Sequence, residues 1–232
     1  MSRVKGLIFD KDGTLFEFAA TWEAWAQAFL LRVCDGDRLR AADIGHVIGF
    51  DFKQRRFAPD SIAIAGTAGE IAAKLAPFFP QHDADALLDM VNDEAGQAPQ
   101  IEAVALAPFL SGLRARGLKL GVATNDSEAP ALAHLAEAGV VEQFDFIAGY
   151  DSGHGGKPAP GQLLAFCAAM QLDPSEVVMI GDSTHDLLAG RAAGMRTLAV
   201  LTGMAPREVL APLAQAVFPD IGHIPQWLDD LT

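Results

Sequence analysis

The sequence predicts an α/β fold, a doubly wound parallel sheet interrupted after its first strand by an α-helical insertion. Three observations predict it. A short apolar run, Leu7-Ile8-Phe9, stops abruptly in the polar loop Asp10-Lys11-Asp12-Gly13-Thr14. Beyond Gln97-Ala98-Pro99, apolar runs alternate with helix-length segments, the rhythm of right-handed crossovers in a parallel sheet. Between them lies a long stretch with helical spacing and no convincing strand.

In chain order, Val4 to Phe9 reads as the buried first strand. Trp22, Trp25, Ala26, Phe29 and Val33 then recur at helical spacing, and further helical stretches surround Ile71 to Leu75 and Leu87 to Val91. A helix through Phe109, Leu110 and Leu113 precedes the strand Leu118 to Ala123. Helix Ala129 to Ala138 stops at Gly139, strand Phe144 to Ala148 follows, and helix Gly161 to Met170 leads to strand Val177 to Ile180. Arg196 to Leu201 and Ala216 to Phe218 continue the alternation. The expected division is a core of residues 1-16 and 99-232 and a helical cap of residues 17-98.

Half of the 232 residues are hydrophobic and a fifth are charged, a globular balance rather than a disordered one. The formal net charge of -13 gives no electrostatic footprint for nucleic acid or an anionic membrane, so neither is an expected partner. An anionic substrate would also be repelled at long range. An enzyme acting on one therefore needs local positive charge, from a metal or from a few placed basic residues. Cys34 and Cys167 lie in apolar helical segments and read as reduced core thiols. The chain enters its first strand without a signal-peptide apolar region and holds no apolar stretch of bilayer length, so the cytoplasm is the expected location. Oligomeric state is not legible.

Four polar clusters end predicted strands: Asp10 with Asp12; Thr124, Asn125 and Asp126; Lys157; and Asp182 with Asp186. In an open parallel sheet, loops at the carboxyl ends of adjacent strands share one ligand crevice. Two carboxylates spaced by one residue can divide the work of nucleophile and acid/base, with Lys11 between them expected to point elsewhere. Asp182 adds a further acidic oxygen, and such hard ligands favour magnesium over zinc or copper. Magnesium would also supply the missing positive charge. Thr124 and Asn125 offer a hydroxyl, an amide and a backbone N–H near a helix start, a good anion site. Lys157, set in Gly155-Gly156-Lys157-Pro158, is a point charge suited to a carboxylate or phosphate. Each cluster alone also fits an ordinary turn, helix cap or solvated loop. The ordered set is what points to chemistry.

That set resembles the haloacid dehalogenase superfamily, and within it the phosphoglycolate-phosphatase-like branch with a helical cap. Asp10-Lys11-Asp12-Gly13-Thr14-Leu15 is similar to the family's first motif, DxDGT, Thr124-Asn125 to the second, Lys157 to the third, and Gly181-Asp182-Ser183-Thr184-His185-Asp186 to the fourth. The resemblance implies a Rossmann-like core and a magnesium-dependent phosphatase acting on a small phosphorylated metabolite, with phosphoglycolate the leading substrate. It implies that Asp10 attacks phosphorus to form an aspartyl-phosphate, while Asp12 protonates the leaving oxygen and then activates water. It further implies that Asp10, the Asp12 backbone carbonyl and Asp182 bind Mg2+ with Asp186 in support. Thr124 and Lys157 would hold the phosphoryl group, with the backbone of Asn125 a further donor.

Two departures stand out. Lys11 replaces a usually apolar residue, and Glu17-Phe18 replaces a frequent acidic-serine pair, at the start of the cap. Within the cap, Lys53, Arg55 and Arg56 form a dense basic cluster that reads either as a contact for the substrate's own anionic group or as a solvated stretch. The six histidines lack a ligand spacing, although His154 and His185 fall near the expected crevice, and Trp22 and Trp25 read as cap core. A phosphoglucomutase-like phosphoryl transferase would use the same catalytic residues. A haloacid dehalogenase would have no need of Asp12, and a non-catalytic binding protein no need of the complete set.

Overall fold

The computed structural model describes residues 3–231, so residues 1, 2 and 232 of the expected core lie outside the described residues. The chain opens with strand β1 (Gly6–Phe9), every residue of which is buried. Helices α1 (Phe18–Val33) and α2 (Arg38–Val47) follow, then a small antiparallel hairpin of β2 (Phe50–Asp51) and β3 (Arg56–Phe57). Next come α3 (Ile62–Ala65), α4 (Ala68–Leu75) and α5 (Ala84–Gly96). From there helices and strands alternate: α6 (Leu106–Ala115), β4 (Lys119–Ala123), α7 (Glu128–Glu137), β5 (Phe146–Ala148), α8 (Gly161–Met170) and β6 (Val177–Gly181). The series ends with α9 (Thr184–Ala192), β7 (Arg196–Val200), α10 (Arg207–Leu210), β8 (Ala216–Phe218) and α11 (Ile224–Asp229).

The six longer-range strands form one parallel sheet in the order β5-β4-β1-β6-β7-β8. The alternation of side chains along β1 separates its two faces. Leu7 and Phe9 pack with Leu110 and Leu113 of α6 and Leu228 of α11, whereas Ile8 packs with Leu163 and Phe166 of α8 and Ala189 of α9. Helices thus cover both faces, which is why these strands are continuous apolar runs. The Phe166 ring lies against strand glycines, and a Cβ at Gly121 would sit 2.8 Å from it.

The segment between β1 and α6 has a hydrophobic cluster of its own, whose buried members run from Phe18 to Ala98. Trp25 and Phe29 stack within it, and the Trp25 indole N–H donates to the Val91 carbonyl at 3.1 Å. The two connections to the sheet lie side by side. Glu17 N–H donates to Ile101 O and Ala103 N–H to Leu15 O, each at 2.9 Å.

The hairpin departs from the expectation of an insertion without strands. Strands of two residues are too short to show an apolar alternation. Their turn is set instead by Asp51 Oδ1, which accepts from the backbone N–H groups of Lys53 and Gln54, with Arg55 at φ 57°. Cys34 and Cys167 are buried free thiols. No helix among the described residues is long and apolar enough to cross a membrane.

Removing the Phe166 ring should open a void against β1 and β4. Phe166→Ala is expected to lose about 3–5 kcal/mol in urea unfolding; a loss below about 1 kcal/mol would contradict this packing.

Candidate active site

Register brings the predicted residues to one edge. Phe9 is paired with Val122 of β4 and with Ile180 of β6, so the chain leaves all three strands at the same level. Asp10, Thr124 and Asp182 emerge there as neighbours, with Lys157 arriving from the loop after β5 and Asp186 from the first turn of α9.

The Lys157 ammonium organises this edge. Nζ donates to Ala123 O at 2.7 Å and is ion-paired at 2.7 Å with both Asp10 Oδ1 and Asp186 Oδ1. Burial alone would depress its pKa, but Asp10 and Asp186 more than offset that and raise it, so the group stays charged. Asp10 Oδ1 also accepts from the Lys11 N–H at 2.7 Å. Oδ2 makes no hydrogen bond among the described residues.

Charge is unbalanced here. Burial pushes Asp10 up to about 7, with Asp186 and Asp12 adding to the rise and Lys157 opposing it. Asp182 is also raised well above the carboxylate range, by burial first and then by Asp186 and Asp10. Oxygens of Asp10, Asp182 and Asp186 all lie within 4.8 Å of one another, and the three side chains are buried. An all-carboxylate donor set of this kind fits a hard divalent cation such as magnesium, whose charge would relieve the mutual repulsion.

The backbone is shaped to allow that crowding. Gly13 has φ +77°, and a Cβ on it would collide with the Asp182 carboxylate, as would one on Gly203. Asp186 is fixed by a capping box, its Oδ2 accepting from Ser183 N at 2.9 Å and from Ser183 Oγ at 2.7 Å.

Thr124 Oγ1 accepts from the Asp126 N–H at 3.0 Å, which leaves its hydroxyl proton to donate toward the crevice. The carbonyl of Thr124 is held by Gln162 Nε2 at 2.9 Å. The Asn125 side chain is engaged with the lysine loop. Its Oδ1 accepts from Lys157 N–H at 2.7 Å and its Nδ2 donates to Lys157 O at 2.9 Å, so the amide clamps the lysine loop.

Lys11 corrects a further expectation. Far from pointing away from Asp12, its fully buried ammonium lies 2.7 Å from Asp12 Oδ1, 2.8 Å from His134 Nδ1 and 3.3 Å from Asp126 Oδ2. Its pKa is raised, because Asp12 and Asp126 outweigh the effect of burial. His134 Nε2 lies 2.6 Å from the Ala95 carbonyl, which can only accept, so the ring proton is on Nε2 and Nδ1 presents a lone pair to Lys11. Burial and the nearby Lys11 cation lower the His134 pKa to about 4, keeping the ring neutral. Asp126 is pushed to about 6 by burial, with Lys11 opposing. One signal was available for this: Pro130, Ala131, His134 and Leu135 share the buried face of α7, and a histidine on such a face needs polar partners.

The crevice is closed on one side by Phe18, Trp22, Ile64, Ile71 and Val91 and on the other by the polar residues already named, with Ser183 and His185 at its edge. About 40 Å³ of water-accessible space remains, room for about three waters. Trp22 belongs both to the cap cluster and to this wall. His154 sits against Phe146 rather than in the crevice, and Lys53, Arg55 and Arg56 are exposed on the hairpin and line none of it.

Known proteins resemble this chain in sequence and fold. The pattern of the family described as haloacid dehalogenase-like hydrolase matches residues 4–194. The chain belongs to that family. Among curated relatives, a phosphoglycolate phosphatase of Rhodospirillum rubrum is 30% identical over 97% of this chain and 90% of its own length. An N-acetylmuramic acid 6-phosphate phosphatase of Pseudomonas putida is 27% identical over 87% of this chain and 84% of its own. The crystal structure of a predicted phosphoglycolate phosphatase from Haemophilus somnus 129PT superimposes with a TM-score of 0.74 across 98% of this chain and 99% of that one. At 18% identity that likeness speaks for the fold alone. Within the haloacid dehalogenase-like hydrolases this chain falls in the phosphoglycolate-phosphatase-like branch, as a phosphoric monoester hydrolase.

A carboxyl raised to about 7 holds its proton at lower pH, and that proton must leave before a cation binds. Magnesium is therefore expected to raise the melting temperature more at pH 8 than at pH 6. An equal shift at both pH values would contradict the assignment of Asp10 and Asp182 to a cation site.

Proposed function

We propose that this hydrolase is a magnesium-dependent phosphatase that cleaves a small phosphomonoester through an aspartyl-phosphate on Asp10. The observation that carries the reading is the Lys157 ammonium 2.7 Å from both Asp10 Oδ1 and Asp186 Oδ1, which orients one oxygen of Asp10 and leaves the other for attack. Asp10 Oδ2 bonds to phosphorus as the bond from phosphorus to the leaving oxygen breaks, and Asp12 gives that oxygen its proton. Water then returns a proton to Asp12 and attacks phosphorus, freeing phosphate and the Asp10 carboxylate. The Thr124 hydroxyl and the Lys157 charge hold the phosphoryl oxygens, and Asn125 keeps the lysine loop in place. Asp10, Asp182 and the Asp12 backbone carbonyl would bind magnesium, with Asp186 in support. When bound it supplies positive charge against the clustered carboxylates and the phosphoryl oxygens.

The proposed division is a core of residues 1-16 and 99-232 and a cap of residues 17-98, supported by the separate hydrophobic cluster between Phe18 and Ala98. The proposed location is the cytoplasm. Phosphoglycolate, named as the substrate of the Rhodospirillum rubrum relative, is the first ester to test. The small free volume supports a compact leaving group.

Asp10→Asn is expected to abolish turnover of metabolite phosphates, and chelation to do so reversibly, with magnesium restoring it. Turnover that persists without metal would contradict the mechanism. Because the basic hairpin lines none of the crevice, neutralising Lys53, Arg55 and Arg56 together is expected to leave kcat/KM on phosphoglycolate within about two-fold, the range of a surface charge. A loss of about 100-fold or more, some 2.7 kcal/mol, would place that hairpin on the substrate.

A further inference from the structure

We propose that Lys11 is a positioning residue for Asp12, turning one oxygen of its carboxylate away so that the other meets the leaving group. The inference rests on the reading of Asp12 as proton donor and deepens it. The ammonium is hydrogen-bonded to Asp12 Oδ1 at 2.7 Å and to His134 Nδ1 at 2.8 Å, and is ion-paired with Asp126 Oδ2 at 3.3 Å. Lys11 is fully buried, as is His134, so none of these bonds competes with water. A side chain held from three directions has little freedom to swing. Asp12 Oδ1 is thereby committed, and Oδ2 is the oxygen presented to the crevice that Asp12 lines.

The anchor points belong to other elements of the fold. His134 is fixed in turn by Ala95 O at 2.6 Å, near the end of α5, and the Trp22 ring centroid of α1 lies 5.8 Å from Lys11 Nζ. Ser127 Oγ, at the start of α7, donates to Asn92 of α5 at 2.9 Å. The direction of Asp12 is therefore tied to the seating of α1 and α5 over the crevice. Lys11 touches two carboxylates, and one of them, Asp12, lies in the proposed reaction path.

In the first half-reaction the proton moves from Asp12 Oδ2 to the leaving oxygen while the Asp10–phosphorus bond forms and the bond to that oxygen breaks. A misdirected Asp12 would hurt esters that need the proton far more than those that do not. The test compares an alkyl ester, phosphoglycolate or glycerol phosphate, with p-nitrophenyl phosphate, whose phenolate leaves unprotonated, using the full chain with magnesium. Lys11→Met is expected to lower kcat on the alkyl ester about 100-fold or more, the scale of general-acid catalysis, and on the aryl ester less than about 10-fold. Asp12→Asn is expected to show the same split, and the double variant to be no worse than Asp12→Asn alone. His134→Leu, which leaves Lys11 in place but removes its anchor, should give a smaller split of the same sign and decides the question should Lys11→Met not fold. Equal losses on both esters in Lys11→Met and His134→Leu, with the split kept in Asp12→Asn, would overturn the positioning role alone. Loss of the split in Asp12→Asn itself would overturn the reading of Asp12 as proton donor, and the positioning role with it.

Discussion

The rest of the site depends on how this chain keeps several carboxylates together in a buried space. Asp10, Asp182 and Asp186 come within 4.8 Å of one another, and burial together with mutual repulsion raises Asp10 and Asp182. Lys157, bonded to Asp10 and Asp186, is the fixed positive charge that makes the crowding tolerable. Asn125 holds the lysine loop by two hydrogen bonds, and Gly13 and Gly203 surrender their side chains so that Asp182 has room. A site built this way is costly in its empty form and suited to a cation and a phosphoryl group, which exchange repulsion for attraction.

Sheet order converts a scattered sequence into that site. With β1 between β4 and β6, residues more than a hundred positions apart leave the sheet at one level. The helical segment inserted after β1 then brings apolar side chains over the polar floor. Phe18, Trp22, Ile64, Ile71 and Val91 form that side of the crevice, an arrangement that excludes water from the reacting groups.

Much of this was legible in the sequence, for a physical reason. Buried parallel strands read as short apolar runs, and polar loops at their carboxyl ends share one crevice, so the ordered set of Asp10, Thr124, Lys157 and Asp182, rather than any one of them, pointed to the site. What stayed hidden depended on packing between distant segments. Lys11 and His134 are 123 residues apart, and nothing in either local sequence says that they meet. The same holds for Asn125, whose role as a clamp on Lys157 requires knowing where the loop after β5 falls. The basic cluster read either as a substrate contact or as a solvated stretch, because composition does not distinguish the two; it sits on an exposed hairpin turn set by Asp51 and lines none of the crevice.

The account stands or falls on Asp10 as the residue that takes the phosphoryl group. Its geometry and its neighbours both suit it to that role, with one oxygen tied to Lys157 and to the Lys11 N–H and the other open to the crevice. The most direct measurement is mass spectrometry of the full chain quenched in acid during turnover with magnesium and a phosphomonoester. A phosphoryl mass increment on the peptide containing Asp10, removed by hydroxylamine, is the predicted result. An increment on any other residue, or turnover in Asp10→Asn at the rate of the unaltered chain, would contradict it.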